Sequence, residues 1–348
     1  MRARPRRVPV RPDVLTPAAA SPTIDGVDAL SDVLRAVRLT GAYFYRVEAA
    51  SPWSVAALPA RELAPRVLPD CEHLISYHVV VKGGCWGGLV GEPQVRLEAG
   101  DAIVFPHGDA HYMSSAQGRR VPGDEQRATP ARYPETLRMG SGPDQAEFVC
   151  GFLGCDARPF NPLLAALPGR LHVRGVTEGW LAEFPRQVVA ESRLGRAGAD
   201  TVLTRMAELM FIEVLRRHLE TIDEGQEGWL AGLRDVVVGP AIACLHERPA
   251  HAWTLAGLAH EIGASRTVLA ERFTRVVGVP PIQYLTQWRL QLAANQLAQG
   301  RAKVAAIAAE VGYDSEAAFS RAFKRLTGLS PSQYRRKAVP GGAALPAA

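Results

Sequence analysis

Two sets of side chains in this 348-residue sequence have the types and spacing to do chemistry. One is soft: nine histidines and five cysteines, all the cysteines but one lying before residue 160. Thiols and imidazoles can hold a metal ion or, as thiols alone, sense an oxidant. Cys150 and Cys155 in CGFLGC stand five apart, on opposite faces of an ideal strand, so one site using both needs a bend at Gly151 or Gly154. The other set is polar and basic, and it recurs on a repeated helical pattern near the C-terminus. Its chemistry is hydrogen bonding and charge pairing with a polyanion.

The elements that carry this second set can be placed by their signals. LAGLAHEIGASRTVLAERFTRVVG (Leu255 to Gly278) and VAAIAAEVGYDSEAAFSRAFKRLTG (Val304 to Gly328) share one form. Each has a short apolar helix, a Gly (Gly263, Gly312), a polar turn, and an amphipathic helix closed by Gly. That is a helix-turn-helix, twice. Thr254 and Ser265 cap the two helices of the first copy, and Pro280 opens a long helix closed by Gly300. About eighteen residues at 1.5 Å give roughly 27 Å of connector, against ~34 Å between successive major-groove faces. Two recognition helices can thus enter adjacent turns of one duplex face.

Charge agrees. From Gly239 to Lys337 there are thirteen Lys/Arg against six Asp/Glu, while the whole chain carries +5. A basic module on a mildly acidic remainder suits phosphate neutralisation. No run approaches the ~20 apolar residues of a membrane span. MRARPRRVPVRP has no apolar segment behind its arginines and is not a secretory signal. A reducing, cytoplasmic setting follows as an expectation, with the cysteines reduced.

The N-terminal half has another texture. From Asp25 to Leu153, short β-prone runs are broken by Gly and Pro, favouring a small barrel or sandwich. Residues 115–144 read as a long exposed loop. Two helices follow, roughly Gly175 to Arg193 and Asp200 to Ile222, the second capped by Asp200. Met206, Leu209, Met210, Glu213, Val214 and Arg217 form its apolar stripe beside a charged face. The expected division is a disordered basic tail (1–24), a barrel (25–160), a helical dimerisation segment (161–222), a linker (223–238), a DNA-binding domain (239–338) and a second disordered tail (339–348).

The run from Gln287 to Arg335 resembles the signature of the AraC/XylS family of transcription regulators, in the pattern A-x-x-x-G-[FY]-x-[SD]-x-x-x-F-x-[RK]-x-F-[KR]-x-x-x-G-x-[ST]-P-x-x-[YF]-R. Helix geometry buries Leu269, Phe273 and Val276 in the first recognition helix and turns Arg266, Thr267, Ala270 and Glu271 outward. The resemblance puts Thr267, Ala270 and Glu271 at base-facing positions. In the second, Phe319 and Phe323 are buried, leaving Glu316, Ala317, Ser320 and Arg321 towards DNA. Arg321 suits bidentate guanine contact or a phosphate. Lys324, Arg325, Arg275, Arg289 and Ser265 are candidate phosphate partners. Thr267 and Ala270 are smaller than the family's usual groove residues, so sequence reading by the first helix is expected to be weak.

Gly100 to His111 fits G-x5-P-x-G-x2-H, a signature of the cupin barrels. The region therefore resembles the cupin sensor of some AraC-type activators, and the helices after it resemble that family's dimerisation elements. The other cupin signature can be laid over Cys71, His73, Tyr77 and Gly84, with Tyr77 where the family's metal-binding Glu stands. Cys71 and His73 would then face His111, and Cys150 or Cys155 could add a ligand, a set that suits zinc. A small-molecule pocket without metal, or thiol redox sensing, are the alternatives. His78 and His107 read as off the inner face, and Cys244 as a buried thiol.

The fold class expected is thus α+β: a cupin-like β-barrel with a helical dimerisation segment, then an all-α double helix-turn-helix. The expected partners are double-stranded promoter DNA, RNA polymerase, a small-molecule effector and a second copy, with activation as the outcome. The alternative is a cupin-type metalloenzyme fused to a DNA-binding domain, against which Tyr77 and the lack of an acid–base pair argue. A DNA-bending protein without a sensor is the third class.

Overall fold

The computed structural model describes residues 28–37, 39–69, 71, 73–118, 136–155, 160–175, 180–194, 196–223, 225–300 and 302–338. The two expected tails lie outside them. The N-terminal half runs α1 (Ala29–Ala36), β1 (Leu39–Ala50), β2 (Ser54–Ala57), α2 (Ala60–Val67), β3 (His73–Lys82), β4 (Gly84–Leu89), β5 (Val95–Glu98), β6 (Ala102–Phe105), β7 (His111–Ser114), β8 (Thr136–Met139), β9 (Gln145–Cys155), α3 (Pro162–Ala166), β10 (Leu171–Val173), α4 (Trp180–Leu194) and α5 (Ala199–Glu220). A six-stranded sheet, ordered β10-β6-β3-β9-β1-β8, faces a four-stranded sheet ordered β2-β7-β4-β5. Among the described residues no ladder joins the two sheets, so the expected barrel is open.

The central strands are apolar on both faces because both faces are covered. Inside, Val80, Phe105, Phe148 and Cys150 pack with Leu97 and Met113 of the smaller sheet. Outside, Ile75, Tyr77, Val79 and Leu153 join one apolar cluster with the helices, α4 packing on β3 and β9 and α5 on β1 and β10. The run from 115 to 144 is not all loop. Its β8 pairs in parallel with β1, Arg46 opposite Thr136. Helix α5 begins at Ala199 after Gly198 with φ of 85°, so Asp200 is not its cap. It buries Leu203, Ala207, Met210, Phe211, Val214 and Leu215, whereas Leu209 is 52% exposed.

The C-terminal half is α6 (Trp229–Arg234), α7 (Val238–Glu247), α8 (Leu255–Glu261), α9 (Arg266–Val277), α10 (Pro281–Gln299), α11 (Val304–Glu310), α12 (Glu316–Thr327) and α13 (Pro331–Ala338). The stretch read as a linker holds α6, whose Trp229 and Leu230 are buried. One apolar cluster runs from the outer face of the large sheet through α1, α6 and α7 to Phe273, Tyr284 and Trp288. Burying a side chain of this size contributes roughly 1.5–3 kcal/mol. The two halves are therefore docked on one another.

Candidate DNA interface and sensor interior

Local sequence positions the recognition helices. The Ser265 hydroxyl accepts from Val268 N and the Ser315 hydroxyl from Ala318 N, each satisfying an otherwise open amide at a helix start. Gly278 and Gly328 end α9 and α12 in the left-handed conformation. The turn glycine Gly312 has φ of 85°, and a Cβ there would sit 2.7 Å from Ala250 O. Buried Leu269, Phe273 and Val276 fix one face of α9, as Phe319 and Phe323 do for α12.

At 100° per residue, Thr267, Glu271 and Thr274 then stand opposite the buried face of α9, and Ala317, Arg321 and Lys324 stand opposite that of α12. All six are exposed, as are Arg266, Arg275, Glu316 and Arg325, while Ala270 and Ser320 are half-buried. Thr274 was missed in the sequence, although aligning the repeats matches it to Lys324. The two outward faces differ in charge: α9 offers a carboxylate where α12 offers a guanidinium.

Arg289 does not fit its expected role as a phosphate partner. It donates to Pro249 O at 2.6 Å, His251 O at 2.7 Å and Gly312 O at 3.1 Å. Its guanidinium is spent tying the loop before the first helix-turn-helix to the turn of the second. The connector α10 is held from the other side as well. Tyr284 accepts the Trp229 indole N–H at 2.8 Å and donates to His246 Nε2 at 2.8 Å, and His246 stacks on Trp288. Between the two halves, Phe160 N donates to Gln291 Oε1 at 2.9 Å, and Asn295 Nδ2 donates to Ala36 O at 2.7 Å.

Inside the sandwich, strand parity differs from the expectation. Leu74, Ser76, His78 and Val80 share the inner side of β3, and His73, Ile75, Tyr77 and Val79 the other. His73 donates to Pro106 O at 2.6 Å. Tyr77 packs edge-on against Phe44, its hydroxyl crowding Gly151, where a Cβ would lie 2.4 Å away. Cys71 sits beside Leu63 and Leu74, and Cys155 in the outer cluster. His107 donates to Leu167 O, off the interior as expected. Cys71, His73 and Cys155 therefore do not join His111. Among the described residues, no group of three His, Cys, Asp or Glu converges to hold a metal ion.

What does meet His111 is His78, their Nε2 atoms 2.7 Å apart, and His78 Nδ1 lies 2.9 Å from Cys150 Sγ. The register places Cys150 opposite His78 and Tyr45 in a three-strand row across β3, β9 and β1. One proton arrangement satisfies every member. His111 Nδ1 donates to Asp109 O, a carbonyl that can only accept, so His111 Nε2 is bare. His78 Nε2 then carries a proton, and His78 Nδ1 accepts from the Cys150 thiol. Tyr45 hydrogen-bonds to Cys150 in turn. Burial, with His111 adding to it, holds His78 well below the usual imidazole range. Burial lowers His111 to about 4 despite its bond to Asp109. Burial also pushes the Cys150 thiol up. The chain is neutral, and a void of about 30 Å³ lies against it, lined also by Met113, Met139 and Trp53.

A cupin family model matches residues 28–220, and a helix-turn-helix domain model matches residues 258–337. A protein of Streptomyces lividans described as an AraC-like transcription regulator is 33% identical over 319 residues, covering 89% of this chain and 98% of its own. The chain belongs to the AraC family of transcription regulators. The HTH-type transcriptional regulator AlkR of Acinetobacter baylyi is 27% identical, over 89% of this chain and all of its own. The DNA-binding domain of AdpA, solved in complex with a target DNA, is 28% identical over 30% of this chain and 96% of its own, with a TM-score of 0.29. An AraC-type regulator with a cupin domain binds DNA and is not an enzyme, as the sequence implied. No described helix is long and apolar enough to cross a membrane.

Proposed function

We propose that this AraC-type regulator senses a signal in its sandwich interior and transmits it to promoter DNA through the contact between the sensor and α10. The observation that carries this is the bond from Phe160 N to Gln291 Oε1. Strand β9 begins beside the smaller sheet, carries Cys150 through the interior, and ends at Cys155, five residues before Phe160. A displacement at Cys150 is thus joined, through the chain to Phe160 and one hydrogen bond, to the helix that spaces the two recognition helices. Occupancy would bias which docked arrangement is populated, and so the fraction of molecules able to grip both groove faces.

The active form is proposed to be a homodimer. Val202, Met206 and Leu209 fall at i, i+4 and i+7 on the outer face of α5, two of them among the exposed large apolar side chains. The family resemblance adds activation through RNA polymerase to this proposal. The experiment is a binding titration of full-length protein on a duplex selected from random sequence, beside Gln291→Ala/Asn295→Ala. A change of tenfold or more in affinity for the two-site duplex, with half-site affinity unchanged, is expected. Equal affinities in both proteins would sink the transmission route. Steep salt dependence without sequence preference would instead favour a DNA-bending protein.

A further inference from the structure

We propose that the sandwich interior binds one soft monovalent metal ion of the Cu(I)/Ag(I) class between Cys150 Sγ and His78 Nδ1. This rests on the interior being the sensor's site and names what occupies it.

The donor geometry comes first. The proton arrangement leaves the His78 Nδ1 lone pair aimed at Cys150 Sγ, 2.9 Å away. With metal–sulfur and metal–nitrogen bonds of about 2.3 and about 2.0 Å, a linear S–M–N unit needs the pair to part by roughly 1.4 Å. Two donors suffice for such an ion, so the lack of a three-residue cluster is no obstacle. The outer bonds are already those of a ligating imidazole. His78 gives its other N–H to His111, which is held by Asp109 O, and Tyr45 supports the sulfur.

Charge decides the class of ion. Among the described residues, no Asp, Glu, Lys or Arg lines the void, and Cys150 is the thiol that does. Binding follows Cys–SH + M⁺ → Cys–S–M + H⁺, the proton leaving to solvent. The product is neutral, as an apolar cavity requires. Zinc at the same donors would leave one uncompensated positive charge, as would iron or manganese, which also favour carboxylate oxygens. Met113 and Met139 border the void and supply thioethers, donors that favour Cu(I) over hard cations.

The test is a titration of the full-length protein with Cu(I) against a chromophoric Cu(I) chelator, repeated with Ag(I) by calorimetry. One ion per chain is expected, with sulfur and nitrogen neighbours in the X-ray absorption spectrum. Cys150→Ala and His78→Phe should each weaken binding at least 100-fold. Cys71→Ser and Cys244→Ser should leave it unchanged, and His111→Gln, which keeps the interior polar and filled, should weaken it by a smaller factor. Thermal melts of each variant separate loss of the site from loss of the fold. Undiminished capture by Cys150→Ala, or Zn(II) displacing Cu(I) at equal concentration, would overturn the site. DNA affinity is measured separately with and without Ag(I). A bound ion that leaves DNA affinity unaltered keeps the site and defeats the sensing route. No bound ion, with Gln291→Ala/Asn295→Ala still altering DNA affinity, defeats the site and keeps the route.

Discussion

Gln291 is 1% exposed and accepts the Phe160 amide proton at 2.9 Å, although 131 residues separate them. Its Nε2 points at Ala36 O, 3.4 Å away, so one carboxamide from the DNA-binding half meets two backbone groups of the cupin half. An amide buried among apolar side chains costs more to leave unpaired than it gains when paired, so this contact sets the register of docking.

Replacing Gln291 with Ala leaves the Phe160 N–H and the Gln291 cavity open together. A loss of about 1–3 kcal/mol is expected, against about 1 kcal/mol for Asn295→Ala at its half-buried position. Calorimetry should show the single transition of the full chain broadening or splitting as the halves uncouple.

His246 makes docking sensitive to acid. Burial holds its imidazole below the ordinary value, partly offset by Asp32 on α1, and Tyr284 occupies its other nitrogen. Below about pH 6.5 the unfolded chain takes up a proton that the folded chain refuses, so stability falls as pH falls from there. Unfolding by urea between pH 7.5 and pH 5 should show that loss, and His246→Gln should flatten it. A slope unchanged in the variant would assign the acid response to another group.

The two recognition faces should contribute unequally. Arg321→Ala is expected to cost about 1–3 kcal/mol and relax preference at one base pair, through the loss of a bidentate contact. Lys324→Ala should weaken all sequences alike and reduce the salt slope by about 1. Glu271→Ala should change base preference with little loss of affinity. Selection of random duplexes with each variant reads all three.

Phe319 and Phe323 form the core of the second helix-turn-helix with Leu290, Leu297 and Ile307. Phe323→Ala should destabilise by about 3–5 kcal/mol, as a buried aromatic removed from a small cluster. Its effect on DNA should vanish at low temperature if the helix refolds on the duplex, and circular dichroism with and without DNA checks that.

The DNA-binding half was legible in the sequence because its determinants are local. The caps Thr254 and Ser265, the closing glycines Gly278 and Gly328, and the spacing of Leu269, Phe273, Phe319 and Phe323 each act within one or two helical turns. Those same residues fix which side chains face outward. Arg289 was misread because its partners lie 23 to 40 residues away and are backbone carbonyls, which no residue type announces.

In the cupin half, sequence determined the strands and the turn that carries His111, while tertiary pairing decided which side chains meet. HLISYHVVVK mixes apolar and polar side chains on both faces, so nothing within β3 says which parity looks inward. The ladder to β9 sets Cys150 beside His78, with His73 and Tyr77 on the other side. A strand's side chains alternate with period two, so a reading off by one residue exchanges every inner group for an outer one. Only the packing of helices on one face and a second sheet on the other breaks that symmetry.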